Sequence, residues 1–219
     1  MQITSSWPLF CYTFGAMLFL SLIMGLQSAH FYTKDVVLRK FSIIELEIPS
    51  TPLELVNLIK GLYKLPDMQS KKTVNALKGQ LYVDFLFMPV AYGTICLLCM
   101  QVSHKMSLSF GTNIFMIFAY LQLIAWLCDI IENIYLLRKI NPRVVESTKA
   151  VHKAYLLMEC IKWGIALVST ICSVTAIFYF WLNGSYSSNS LNYLLIIAIE
   201  IVLFVAASKF FLKKIAIDQ

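Results

Sequence analysis

Five apolar runs, each near 20 residues long, constrain the fold of this chain more than any other feature. An α-helix needs about 20 apolar residues to cross roughly 30 Å of hydrocarbon, and its backbone polar groups must bond within the segment. The runs are continuous rather than alternating, so they predict helices and not barrel strands. They cover residues 7–29, 81–103, 112–137, 154–182 and 191–212. The predicted fold class is therefore all-α, an integral membrane bundle of five transmembrane helices.

The first run can be interpreted as a cleaved signal peptide or as a retained span. Met1 to Phe10 contain no Lys or Arg, and the run is longer than the apolar region of a typical signal peptide. We therefore interpret it as a transmembrane span. With 59% hydrophobic and only 14% charged residues, the chain lies outside the soluble class. We divide it into a first span over 1–30, a cytoplasmic connecting segment over 31–80 and a four-span bundle over 81–219.

Basic residues are concentrated in every second connection between the runs. They are Lys34, Arg39, Lys40, Lys60, Lys64, Lys71, Lys72 and Lys78 in the first connection, and Arg138, Lys139, Arg143, Lys149 and Lys153 in the third. The other two connections contain Lys105 and no further Lys or Arg. Because cytoplasmic loops are enriched in Lys and Arg, the N-terminus is predicted outside and the C-terminus in the cytoplasm. This orientation accounts for the net charge of +6, so nucleic acid is not an expected partner.

The connecting segment combines a strand pattern with a helix pattern. In FSIIELEIP, apolar and acidic side chains alternate from Ile44 to Ile48, which is the period of an extended strand. Thr51 and Pro52 then begin an amphipathic helix, with a glutamate placed to complete its N-terminal cap. The apolar face of this helix can lie in the membrane interface or cover the mouth of the bundle, as a simple connector or as a lid.

Ionisable residues within the runs are the candidate functional residues. A charged side chain at mid-bilayer costs at least about 2.5–3.5 kcal/mol, so each needs a partner, a proton or a cavity. At a rise of about 1.5 Å per residue, those in the second, third and fourth runs lie within about 15 Å of the cytoplasmic ends of their helices. They are Asp84 in the second run, Asp129 and Glu132 in the third, and Glu159 and Lys162 in the fourth. This common level predicts a polar pocket between three helices, open or nearly open to the cytoplasm.

Helical spacing places further polar residues on the same faces. The third run carries a stripe of Gln122, Trp126, Asp129 and Asn133, with Glu132 at its edge. Tyr92 shares a face with Asp84, and Pro89 loosens the helix between them. Lys162 can pair with Glu159 or reach toward Asp129. The predicted proton-binding or ligand-binding set is Asp84, Tyr92, Asp129, Glu132, Asn133, Glu159 and Lys162.

The charges of this set do not balance. Asp84, Asp129, Glu132 and Glu159 are four acids against one lysine. Some acids must therefore be protonated, hydrated, or bound to a cation or ligand. Alternatively, these groups serve only to join the helices by hydrogen bonds. Glu200, in the fifth run, is either a protonated packing residue or a further member of the set.

This pattern favours a non-enzymatic membrane protein whose pocket binds a proton, a cation or a small amphiphile, acting as a carrier, sensor or accessory subunit. The first alternative is a lipid-modifying enzyme in which one acid donates a proton and a neighbouring carboxylate acts as base. The second is a structural subunit whose polar face is covered by another membrane protein. Membrane lipid and a membrane-protein subunit are the expected partners, and no individual catalytic residue can be assigned.

No sequence motif indicates a metal or a cofactor. A glycine-rich phosphate loop and an H-E-x-x-H pattern are both missing, so neither a nucleotide site nor a helical zinc site is expected. Cys96 and Cys99 form a C-x-x-C without a second pair, and we interpret them as packing residues. We therefore expect no cofactor and no metal.

Several short motifs resemble a loosely defined set of uncharacterised bacterial multi-span membrane proteins. The shared elements are a Leu-Glu-rich segment at Ile44–Ile48, an Asp-x-x-Phe-x-Pro-x-x-Tyr stretch at Asp84, Phe87, Pro89 and Tyr92, an Asp-x-x-Glu-Asn motif at Asp129, Glu132 and Asn133, and a Lys-Trp pair at Lys162 and Trp163. The resemblance implies the cell inner membrane and no known activity. Sterol isomerases and sigma-receptor-like proteins are more distantly similar, since they also place acids in a small bundle, but here the histidines lie outside the spans.

Overall fold

The structure is a computed structural model that describes residues 6–34, 37–186 and 190–217. In chain order its elements are α1 Trp7–Ser28, β1 Tyr32–Lys34, β2 Leu38–Lys40, α2 Ile44–Glu47, α3 Pro52–Tyr63, α4 Asp67–Lys105, α5 Ser109–Lys139, α6 Lys149–Leu182 and α7 Ser190–Ile217. The helices α1, α4, α5, α6 and α7 are long and apolar enough to cross a membrane. The predicted all-α bundle of five transmembrane helices is therefore confirmed.

Capping residues and buried side chains explain where the helices begin. Thr51 starts α3, as predicted, because its hydroxyl accepts a hydrogen bond from the Glu54 backbone N–H at 3.1 Å. α4 begins at Asp67, well before the second apolar run. Thr73 and Leu77 in this early part of α4 are buried, so the helix continues outside the predicted span.

α4 lies at the centre of the bundle. It packs against α1, α5 and α6, while α5 also packs against α6, and α7 packs against α1. α1 and α7 begin at the same end, where the rings of Trp7 and Tyr193 stack. We call the opposite end, where α4 and α6 begin, the capped end. α1 and α6 therefore flank α4, and the space between them lies beside the central helix.

The connection between α1 and α4 covers the capped end. β1 and β2 form an antiparallel hairpin, and the Thr33 hydroxyl of β1 donates to the Leu58 carbonyl of α3 at 3.0 Å. The buried side chains of this connection form a single apolar core with the ends of α4, α5 and α6. This core includes Phe31, Phe41, Leu46, Leu55, Ile59 and Leu62 of the connection, together with Leu77 of α4, Leu136 of α5 and Tyr155 of α6. α3 thus covers the mouth of the bundle, one of the two arrangements expected from its sequence.

The strand predicted over Ile44–Ile48 is wrong. This segment contains the single helical turn α2, and the strands of the connection are β1 and β2. The Glu45 carboxylate accepts a hydrogen bond from the Ser42 backbone N–H at 3.0 Å, which stabilises the start of the turn. In this turn Leu46 enters the apolar core while Glu47 approaches the acids of α5 and α6. The alternating apolar and acidic residues therefore form a helical turn. Its Leu46 and Glu47 pack against different neighbours.

Candidate functional site

Lys162 of α6 lies at the centre of the buried charges. Its Nζ donates to Asp129 Oδ1 at 3.1 Å and to Glu132 Oε2, both on α5. Glu159 Oε2, one turn earlier on α6, lies 2.9 Å from the same ammonium. All four residues are buried. Lys162 therefore contacts both Glu159 and Asp129, which the sequence left as alternatives, and Glu132 as well.

α4 joins this network through three further hydrogen bonds. The Tyr92 hydroxyl donates to Asp129 Oδ2 at 2.9 Å. Asn133 Nδ2 donates to Asp84 Oδ2 at 2.7 Å and to the Leu81 carbonyl at 3.3 Å. The seven predicted residues thus occupy one continuous group on α4, α5 and α6. Their functional role stays a prediction, but the facing deduced from helical spacing matches their positions.

Glu47, from the connection outside the spans, also belongs to this group. Carboxylate oxygens of Glu47, Glu132 and Glu159 lie within 4.8 Å of one another. Burial raises the pKa of Glu47 to about 7, the Lys162 ammonium lowers it in part, and the neighbouring acids raise it further. Sequence reasoning missed Glu47 because nothing local distinguishes it from Glu45. Only the packing of α2 against the bundle selects one glutamate over the other.

The enlarged group contains more negative than positive groups. Its carboxyl groups are those of Glu47, Asp84, Asp129, Glu132 and Glu159, and its ammonium is that of Lys162. This excess calls for protons or for a cationic group from elsewhere. Glu47, Glu132 and Glu159 have the spacing of a metal site, but Lys162 already contacts two of them. The Lys162 ammonium therefore already supplies positive charge to Glu132 and Glu159, where a divalent ion would otherwise do so.

A cavity of about 410 Å³ lies beside this group, between α1 and α6. Its apolar lining includes Met17, Met24, Ile44, Phe87, Ile95, Trp163 and Ala166. Its polar lining comprises Glu47, Gln80, Asp84, Tyr92, Asp129 and Lys162. Residues of α2 lie across the end that the sequence predicts to be open, and Trp163 is 42% exposed. The cavity is therefore bordered by α2 at the capped end and by an exposed side chain of α6.

Other polar residues of the spans lie away from the cavity. Gln122 Nε2 donates to the Ser169 hydroxyl at 2.9 Å, which links α5 to α6 farther from the capped end. Glu200 lies on α7 against Gly15 of α1, where an added Cβ would be 2.8 Å from Glu200 Oε1. The shallow pocket around Glu200 is lined by residues of α1 and α7. Of the two interpretations of Glu200, the structure favours the packing residue.

The fold and the site together define a helical membrane protein with a buried lysine bonded to three acids. Comparison with known proteins found no matching family model, no matching curated protein and no matching solved structure. The residues of this site and the cavity beside them are therefore the features that indicate a function.

Proposed function

We propose that the protein takes a small amphiphile from the membrane into the cavity beside Lys162, as the binding step of a carrier or a sensor. We place it in a bacterial inner membrane with the capped end toward the cytoplasm. The orientation is supported by the basic residues at that end, among them Lys71, Lys72 and Arg138.

The cavity is the observation that carries this proposal. Its volume of about 410 Å³ is in the range of small-molecule pockets, roughly 300–1,000 Å³. Met17 and Met24 contribute flexible apolar side chains, which can adapt to chains or rings of different shape. The carboxyl groups and Lys162 of the lining come from α2, α4, α5 and α6, whereas α1 contributes only methionines. This division suits a ligand with an apolar body and a polar end.

A purely structural role accounts for less of the site. Hydrogen bonds between helices explain the positions of Asn133 and Tyr92. They do not explain an open space next to Asp84 and Asp129, because an unfilled cavity lowers stability. A ligand that occupies this space would offset that loss.

Native mass spectrometry of the protein purified in a mild non-ionic detergent tests the proposal. Ala166→Phe places a ring in the cavity wall, and Ala198→Phe places the same ring on an exposed position of α7 as the matched control. We expect the wild type and the Ala198 variant to retain a small amphiphile and the Ala166 variant to lose it. Equal retention by the Ala166 variant, or no retained amphiphile on any of the three proteins, would contradict the proposal.

One further function is favoured by the position of the cavity. Because it borders both Asp84 and Asp129, a bound lipid would place a bond near two carboxyl groups, as acid–base chemistry requires. The protein would then be a lipid-modifying enzyme. Incubation with labelled membrane lipids distinguishes the two functions. A product formed by the wild type but not by Asp84→Asn would favour the enzyme, whereas unchanged lipid masses with retained binding would favour the carrier or sensor.

A further inference from the structure

Two buried acceptor atoms on residues that line the cavity have no hydrogen-bond partner among the described residues. They are Oε2 of Glu47 and Oε1 of Gln80. Gln80 is only 4% exposed, so water at the protein surface does not satisfy its carbonyl. A buried acceptor without a donor costs about 1–3 kcal/mol, and a charged one costs more. Both atoms therefore call for a donor from within the cavity.

The donors of the neighbouring group are already used. Tyr92 donates to Asp129, Asn133 donates to Asp84, and Lys162 contacts three carboxyl groups. None of these bonds reaches Glu47 or Gln80. Because both residues line the cavity, a molecule bound there can supply the missing donor, and the excess of carboxyl groups favours one with a positive charge.

We propose that the polar end of the ligand is a protonated primary or secondary amine that donates N–H groups to Glu47 and Gln80. This inference rests on the proposed amphiphile-binding function and specifies its ligand as a hydrophobic amine. The apolar body of the amine would lie along Met17, Met24 and Phe87, while its nitrogen faces the capped end. A fatty acid would place a further negative charge beside the three carboxyl groups of the lining, Glu47, Asp84 and Asp129. A quaternary ammonium would supply the charge but no N–H donor.

Four amphiphiles with the same dodecyl chain separate these properties. Dodecylamine carries charge and donors, dodecyltrimethylammonium carries charge only, dodecanol carries a neutral donor, and dodecanoate carries the opposite charge. Binding to the full-length protein in non-ionic detergent can be measured by titration with native mass spectrometry. A charge-assisted hydrogen bond contributes about 1.5–3 kcal/mol, so we expect dodecylamine to bind at least about tenfold more tightly than each of the others.

Glu47→Gln and Gln80→Leu test the two acceptors. Each should weaken dodecylamine binding by about tenfold and leave dodecanol binding within about twofold. Glu146→Gln is the matched control, because Glu146 is exposed in the connection between α5 and α6. Unchanged dodecanol binding shows that each variant retains the cavity, so a loss of amine binding cannot be attributed to misfolding.

The outcomes separate this inference from the proposed function. If the four amphiphiles bind with equal affinity and Ala166→Phe abolishes the binding of all four, the cavity binds amphiphiles but the amine assignment is wrong. If dodecyltrimethylammonium binds as tightly as dodecylamine, or if both variants keep full amine affinity, the two acceptors do not select the ligand. If none of the amphiphiles binds, the inference and the proposed function both fail.

Discussion

Replacing Lys162 by Met removes the positive charge from the centre of the buried network. The side chain of Lys162 is 5% exposed and lies within 3.1 Å of both Asp129 and Glu159, in addition to its bond with Glu132. Removing one partner of a buried ion pair typically costs about 3–5 kcal/mol, because the remaining charge is left uncompensated. We expect a loss of this size near about pH 8.

Unfolding by sodium dodecyl sulfate in mixed micelles measures this change. Lys153→Met is the matched control, since Lys153 is an exposed lysine earlier on the same helix, and it should change the free energy of unfolding by less than about 0.5 kcal/mol. The double variant Lys162→Met with Glu132→Gln should recover part of the loss, because one uncompensated acid is removed. If Lys162→Met costs no more than Lys153→Met at about pH 8, the reasoning about the ion network is refuted.

Three further predictions use the same unfolding measurement. Tyr92→Phe removes the donor to Asp129 and should cost about 1–2 kcal/mol; no loss would mean that this bond adds nothing to stability. Gly61→Ala should destabilise the protein by about 1–3 kcal/mol, because the added Cβ would overlap Thr33 of β1. An unchanged free energy of unfolding would show that β1 can move away without cost. Glu47→Gln should stabilise the unliganded protein by up to about 3 kcal/mol at about pH 8, since the raised pKa makes the charged form unfavourable in the folded state. That gain should fall as the pH is lowered from about 7 toward the unfolded value near 4.5, and a gain that is independent of pH would contradict it.

The stability effect of Glu47 also bears on its role. An acid whose charge destabilises the folded protein has no structural advantage over glutamine at the same position. Such a residue is expected where a ligand or a proton compensates the charge during function. The combination predicted for Glu47→Gln, higher stability with weaker amine binding, would therefore distinguish a binding residue from a structural one.

The positions of the polar residues in the spans could be predicted because helix geometry is regular. Asp84 and Tyr92 share a face, as do Asp129 and Asn133, since residues four or eight apart point in the same direction. The orientation predicted from basic residues then placed the ends of three helices at one level. Those two rules were sufficient to predict that residues which form hydrogen bonds between α4, α5 and α6 lie close together.

The sequence could not predict the parts of the site that come from the connection. Glu47 and Glu45 have equivalent neighbours along the chain, and only the docking of α2 turns one toward Lys162. Gln80 similarly stood at the predicted boundary of a span, with no indication that it lines a cavity. The cavity between α1 and α6 depends on which helices pack together, and hydropathy carries no information about that choice.

The sequence by itself therefore determined the five membrane helices, the start of α3 at Thr51, and the convergence of acids and a lysine at one level. These features follow from local rules of length, capping and periodicity. Tertiary structure alone decided that Lys162 meets three acids at once, that Glu47 joins them from outside the spans, and that a cavity lies beside them. The physical reason is that each of these features arises from contacts between elements distant in the chain, where packing, and not local pattern, selects the neighbours.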